Sequence, residues 1–86
     1  MDREQIDIKE IRELARRFTP EEIDACINRQ ILEGQNPCEV RGSTEYVLGE
    51  LAKAEFVRKR MDDGMSLADA VRELARRIRL AQQNRK

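Results

Sequence analysis

Residues 17–23 read Arg-Phe-Thr-Pro-Glu-Glu-Ile, and this stretch decides how the chain folds. Thr19 is a favoured N-cap, Pro20 suits the first helical position, and Glu22 completes a capping box with Thr19. The apolar residues on either side of the box form a hydrophobic staple, which fixes the angle at which the chain enters the helix. We therefore expect one helix to end here and another to begin at a sharp corner.

Helical signals continue on both sides of this corner. The periodicity predicts helices over residues 3–17 and 20–33 before a loop at 34–43, which contains two Gly and one Pro. Two further helices are predicted over 44–62 and 67–82. In the second helix we expect a buried apolar stripe made of Ile23, Cys26, Ile27 and Ile31.

These elements predict an all-α fold with a single helical domain over residues 1–86. We expect two helical hairpins joined by the loop at 34–43, packed as a four-helix bundle or as an orthogonal array. Charged residues make up 40% of the chain and aromatic residues 3%, so few bulky groups are left to fill an interior. The predicted core is therefore thin, as in other domains of this size.

The composition argues against catalysis and against bound cofactors or metals. The chain has no His, the usual general base and zinc ligand, and it has no phosphate-binding glycine motif. Its two cysteines are too few for a disulfide scaffold, so we predict free thiols in a reducing cytoplasm. We also predict no membrane span, because no apolar stretch approaches the ~20 residues that a span needs. Cys26 is interpreted as a small buried hydrophobe, and Cys38 in the loop, near Arg41, is the one enzymatic option.

Charge is unevenly distributed along a chain whose net charge is zero. Residues 19–34 contain one Arg and four acidic residues, whereas residues 65–86 contain six basic and two acidic residues. The simplest interpretation is that the acidic segment and the basic segment pair with each other inside one molecule.

A possible anion site lies at Arg41 and residues 42–44, where a Gly turn enters a helix and would present backbone N–H groups to an anion. Capping of the helix alone also explains this pattern.

The leading functional hypothesis is a non-enzymatic protein–protein interaction module, either an accessory or regulatory subunit or a homo-oligomer. It depends on the thin core and on apolar residues that lie off the main stripes, which would otherwise pack under the loop and termini. These off-stripe residues are Ile6, Leu32, Phe56 and Leu80. The predicted interaction surface consists of Arg72, Arg76, Arg79, Phe56, Leu80 and Arg41.

The alternative hypothesis is nucleic-acid binding through the basic fourth helix. Gly64-Met65-Ser66 before a helix resembles the turn of a helix-turn-helix motif, whose second helix meets DNA bases. The resemblance covers about ten residues and departs from the motif at Arg60, where a small buried residue is usual. Arg72, Arg76 and Arg79 would then contact phosphates.

Overall fold

A computed structural model of the chain describes residues 8–83 and shows four α-helices in this part of the sequence. They are α1 (Ile8–Arg17), α2 (Pro20–Glu33), α3 (Thr44–Asp62) and α4 (Leu67–Gln83). The predicted all-α class is confirmed, and α2 and α3 have the predicted bounds. Positions 3–7 of the predicted first helix, with Ile6, lie outside the described residues, as do Arg85 and Lys86. Among residues 8–83, none of the helices is both long and apolar enough to cross a membrane.

The corner between α1 and α2 forms as the capping signals predict. The Thr19 hydroxyl accepts a hydrogen bond from the Glu22 backbone N–H at 3.1 Å, and the Thr19 N–H donates to the Glu22 carboxylate at 2.8 Å. Arg58 of α3 reaches this corner and donates to the backbone carbonyls of Ala15 and Phe18, both at 3.1 Å. Arg58 therefore joins the end of α1 to α3 through backbone carbonyl groups that accept no hydrogen bond within α1.

The central element is α3, which contacts each of the other three helices, while α1 also contacts α4. Within residues 8–83, α1 and α2 pack on α3 and not on each other, whereas α3 and α4 form a helical hairpin through residues 63–66. The buried apolar side chains come from all four helices and the loop at 34–43. They are Ile11, Leu14, Ala15, Ile23, Cys26, Cys38, Val40, Val47, Leu51, Ala54, Val57, Ala70 and Leu74.

The last turn of α2 differs from the predicted buried stripe. Ile31 was expected in the core, but 59% of its surface is exposed, and Gln30 is buried in its place. The Gln30 amide donates to the Thr44 hydroxyl at 3.0 Å and accepts from the Asn36 amide at 2.9 Å. Because these bonds satisfy a buried amide, α2 can turn a polar residue inward and leave Ile31 in solvent.

The cysteines also differ from the prediction, because Cys26 and Cys38 form a disulfide and are not free thiols. Both residues are almost fully buried, and their Cα atoms are 6.0 Å apart. The loop at 34–43 folds back over α2 because the Asn36 side chain bonds both the N–H and the C=O of Val40. This local turn brings Cys38 over Cys26, a proximity that their spacing in the sequence does not reveal.

Candidate interaction surface

The outer face of α2 carries the most exposed large apolar side chains of the structure. Leu32 is 78% exposed and Ile31 is 59% exposed. At 3.6 residues per turn, Leu32 and Glu21 lie opposite the buried Ile23, while Ile31 and Asp24 are exposed at one edge of this outer face, nearer to the core. The other exposed large apolar residues within 8–83 are Tyr46, Met65 and Leu80. The α2 face therefore combines an apolar end with an acidic end.

The outer face of α4 contains the predicted arginine ridge. Arg72, Arg76 and Arg79 are exposed and lie one turn apart on the side away from the buried Leu74. The guanidinium of Arg72 contacts Asp69 at 2.7 Å, and that of Arg76 contacts Glu73 at 2.7 Å. Within the described part of the chain, two of the three ridge arginines are thus paired with carboxylates of their own helix.

Glu73 is shared by two arginines. Hydrogen bonds from Arg76 and then from Arg77 lower the pKa of the Glu73 carboxyl, and Glu73 in turn raises the pKa of Arg76. The Arg77 guanidinium lies 3.0 Å from the same carboxylate. Because both guanidinium groups are more than half exposed, the pairs contribute little stability, although the Glu73 side chain itself is only 18% exposed.

The two apolar members of the predicted surface, Phe56 and Leu80, lie in different settings. Phe56 is half-buried against the core and is flanked by Arg60 and Arg77, with guanidinium carbons 5.5 and 5.4 Å from the ring centroid. Leu80 is 44% exposed and lies one turn after Arg76 on the outer side of α4. The structure therefore brings Leu80 together with the arginine ridge, whereas Phe56 is largely covered.

Arg41 belongs to neither face. It lies in the exposed part of the loop and lines a cleft of about 390 Å³ together with Gln30, Asn36 and Glu39. Glu39 adopts a left-handed backbone with φ of 66°. The next helix begins as a normally capped one, since the Ser43 hydroxyl accepts from the Tyr46 N–H at 3.2 Å. The anion-binding reading of this turn stays a prediction.

Catalysis by a Cys38 thiolate has no basis in the folded structure, because the Cys38 sulfur is bonded to that of Cys26. A buried titratable group that sequence patterns did not single out is Glu50 of α3, which is 2% exposed. Its Oε1 lies 3.6 Å from Lys53 Nζ, while its buried Oε2 has no hydrogen-bond donor among the described residues.

Glu50 faces a second carboxyl, that of Glu10 on α1, which also accepts from the Tyr46 hydroxyl at 3.2 Å. Burial and then the hydrogen bond with Glu10 raise the pKa of Glu50, while Lys53 acts in the opposite direction. Two carboxyl groups can share a hydrogen bond only if one of them keeps its proton.

A similar pair joins α3 to α2. Burial and then a hydrogen bond with Asp24 raise the pKa of Glu55, while Lys59, with its Nζ 3.3 Å away, opposes the rise. A carboxyl whose pKa is higher in the folded than in the unfolded chain stabilises the fold below its unfolded pKa. That contribution is lost as the pH rises through the folded pKa.

Neither carboxyl pair forms a recognisable metal centre. Within residues 8–83, no three Cys, Asp or Glu side chains are grouped so that they could hold a metal ion. The chemically distinctive surfaces are therefore the acidic and apolar face of α2 and the basic face of α4. A comparison of the chain with protein-family models, with curated proteins and with solved structures finds no match.

Proposed function

We propose that this protein is a non-enzymatic interaction module that binds another protein chain through the outer face of α2. The observation that supports this proposal is the exposure of two adjacent large aliphatic residues, Ile31 and Leu32, at the end of a well-capped helix. Burying each of them against a partner would contribute about 1.5 to 3 kcal/mol. Exposed apolar groups of this size, beside charged residues, are typical of binding surfaces.

The way α2 is built supports the same conclusion. A helix selected for stability alone would turn Ile31 inward, since the core is small and an aliphatic side chain there would enlarge it. The chain instead buries Gln30 and bonds its amide to Thr44 and Asn36. Both the helix end and the adjacent loop are thereby held rigid, which lowers the entropy cost of binding a partner.

Nucleic-acid binding through α4 stays a prediction as the rival function. Arg72 and Arg76 are already paired with Asp69 and Glu73, so phosphate contacts would compete with these ion pairs. The test is a mobility shift of short duplex DNA at low salt. Binding that weakens steeply with added salt and is lost in Arg76→Glu/Arg79→Glu would establish this function.

A cytoplasmic location also stays a prediction, and the disulfide weighs against it. Disulfides are rare in cytosolic proteins because thiol reductants keep cysteines reduced there. We propose that the chain meets oxidising conditions at least while it folds. Alkylation of cells before lysis, followed by mass spectrometry of the peptides that contain Cys26 and Cys38, measures the oxidation state directly.

The interaction proposal is tested by quantitative affinity capture with three versions of the chain. Wild type, Leu32→Lys and Met65→Lys are used as bait, since both variants replace an exposed apolar residue with lysine and only the first alters the α2 face. We expect a partner that is enriched by wild type and Met65→Lys and lost with Leu32→Lys. Equal capture by all three baits would contradict the proposal.

A further inference from the structure

The helices α2 and α4 carry opposite charge, and among residues 8–83 they neither contact each other nor form an ion pair with each other. Residues 20–33 contain an excess of three acidic charges, and residues 67–83 an excess of two basic charges. The uneven charge of the sequence predicts that these segments pair inside the chain. That prediction is wrong for the described helices, because α2 and α4 each contact α3 but, within residues 8–83, do not contact each other.

Each helix presents its charge beside an exposed aliphatic group. On α2, Leu32 and Asp24 are both exposed, Leu32 on the outer face and Asp24 at its edge, where its carboxyl also reaches Glu55 of α3. On α4, Arg72 and Leu80 both lie on the outer side, with Arg76 between them. A charged end and an apolar end therefore follow each other in the same order along both helices.

The spacing on the two faces also matches. Asp24 precedes Leu32 by eight residues, and Arg72 precedes Leu80 by eight residues. At a rise of 1.5 Å per residue, both separations are about 12 Å. Suppose that α2 of one molecule lies beside α4 of another and that both helices point the same way. Leu32 then lies opposite Leu80 in the same register that places Asp24 opposite Arg72.

We propose that the partner of the α2 face is a second copy of this chain, whose α4 packs parallel to α2. Leu32 of one copy then contacts Leu80 of the other, and Asp24 contacts Arg72. This inference rests on the proposed interaction function and specifies its partner. The Arg72–Asp69 pair does not prevent the contact, because both of its side chains are largely exposed and the pair is weak.

The contact joins two different surfaces, so one copy keeps a free α4 face and the other keeps a free α2 face unless the assembly closes. Assemblies of this kind grow into rings or open chains. A single helix-on-helix contact is smaller than the interface of a tight dimer, so we expect association in the micromolar range. Since opposite charges meet across it, the association should weaken with salt.

Sedimentation of the full chain tests the inference. We expect the weight-average mass to rise above 10.1 kDa between roughly 10 and 300 µM protein, and the association constant to fall at least about tenfold from about 50 to 500 mM NaCl. Two variants remove one face each, Asp24→Lys/Leu32→Lys on α2 and Arg72→Glu/Leu80→Glu on α4. Each variant alone should stay monomeric.

Mixing the two variants gives the decisive result. One retains an intact α4 face and the other an intact α2 face, so an equimolar mixture should associate where neither variant does alone. Met65→Lys serves as the matched control and should associate like wild type. Helicity measured by circular dichroism checks that each variant folds, and the salt dependence of wild type needs no variant.

Several outcomes would overturn the inference. A strictly monomeric wild type does so, and the affinity-capture experiment then decides separately whether α2 binds a different protein. Association that persists in either face variant, or that salt does not weaken, assigns the contact to another surface. A mixture that stays monomeric while wild type associates also excludes the pairing of α2 with α4.

Discussion

Reduction of the disulfide between Cys26 and Cys38 should lower the free energy of unfolding by about 3 kcal/mol. The two cysteines are twelve positions apart, so the bond closes a loop of about 13 residues, and the chain-entropy relation assigns about 3 kcal/mol to a loop of that length. Domains of this size unfold with a total of only about 4 to 13 kcal/mol. The cross-link therefore supplies a substantial share of the stability of this small core.

The assay is urea denaturation followed by helical circular dichroism, with and without a dithiol reductant. A small domain loses about 1 to 1.5 kcal/mol per molar urea, so the midpoint should fall by about 2 to 3 M on reduction. The reduced sulfurs still fill the same buried space, because a free cysteine packs as a small hydrophobe. The change therefore measures the cross-link and not a cavity.

Cys26→Ala/Cys38→Ala is the control, since its midpoint must not respond to reductant. Alkylation and mass spectrometry verify that wild type is oxidised before treatment and fully reduced after it. An unchanged midpoint after verified reduction would refute the reasoning, because the cross-link would then not restrict the unfolded chain enough to change the free energy of unfolding.

Three substitutions test other parts of the structure by the same denaturation assay. Glu50→Gln should raise stability at neutral pH by about 1 kcal/mol, because the amide donates to Glu10 without needing a proton. Wild type should gain stability as the pH falls from neutral toward the raised pKa, and the variant should gain less. Leu51→Ala should cost about 3 kcal/mol, since Leu51 is fully buried on the central helix. Gly42→Ala should cost about 2 kcal/mol, because φ is 133° and the new Cβ would lie 2.9 Å from the Tyr46 ring.

Matched variants separate these effects from general ones. Glu45→Gln changes an exposed carboxyl of the same helix and should leave the pH dependence as it is. Leu32→Ala, at an exposed leucine, should change stability by less than about 0.5 kcal/mol. Gly49→Ala should stabilise by up to about 1 kcal/mol, because its Cβ meets no atom within 4 Å and alanine favours a helix. The corresponding assignment is contradicted if Glu45→Gln alters the pH dependence more than Glu50→Gln does. The same holds if Leu32→Ala costs more stability than Leu51→Ala, or if Gly49→Ala costs more than Gly42→Ala.

The bounds of the helices were predictable because the signals that set them are local. Thr19 with Glu22 and Ser43 before α3 begin their helices through bonds made within four residues. Gly34 ends α2 in a left-handed conformation that glycine adopts without strain. The residues that set these helix bounds therefore all lie within a short window of sequence.

The rotation of α2 was not predictable in the same way. Gln30 and Ile31 are consecutive in the chain and about 100° apart around the helix, and periodicity favours the aliphatic residue for the core. The outcome depends on Thr44 and Asn36, which satisfy the Gln30 amide only after the loop has folded back. Hydrophobic pattern alone therefore assigned the exposed face of α2 incorrectly, and with it part of the candidate surface.

The disulfide and the buried Glu50 were missed for a related reason. The number and spacing of the cysteines do not reveal the turn that brings Cys38 back to Cys26. Glu50 follows the expected pattern of a charged residue in a charged helix, and its burial reflects the approach of α1 from one side. Of the predicted surface residues, Leu80 and the arginines are exposed and Phe56 is partly buried, and their role in an interaction stays a prediction.

The position of α3 at the centre has a consequence for how the protein can change. Because α2 and α4 share no contact within residues 8–83, a substitution on the exposed face of one does not touch the other. Effects of such substitutions on folding should add, as they do for sites without common neighbours. The exposed face of α2 or of α4 can then acquire a new binding specificity without compensating substitutions on the other helix, as long as the side chains that face α3 are kept.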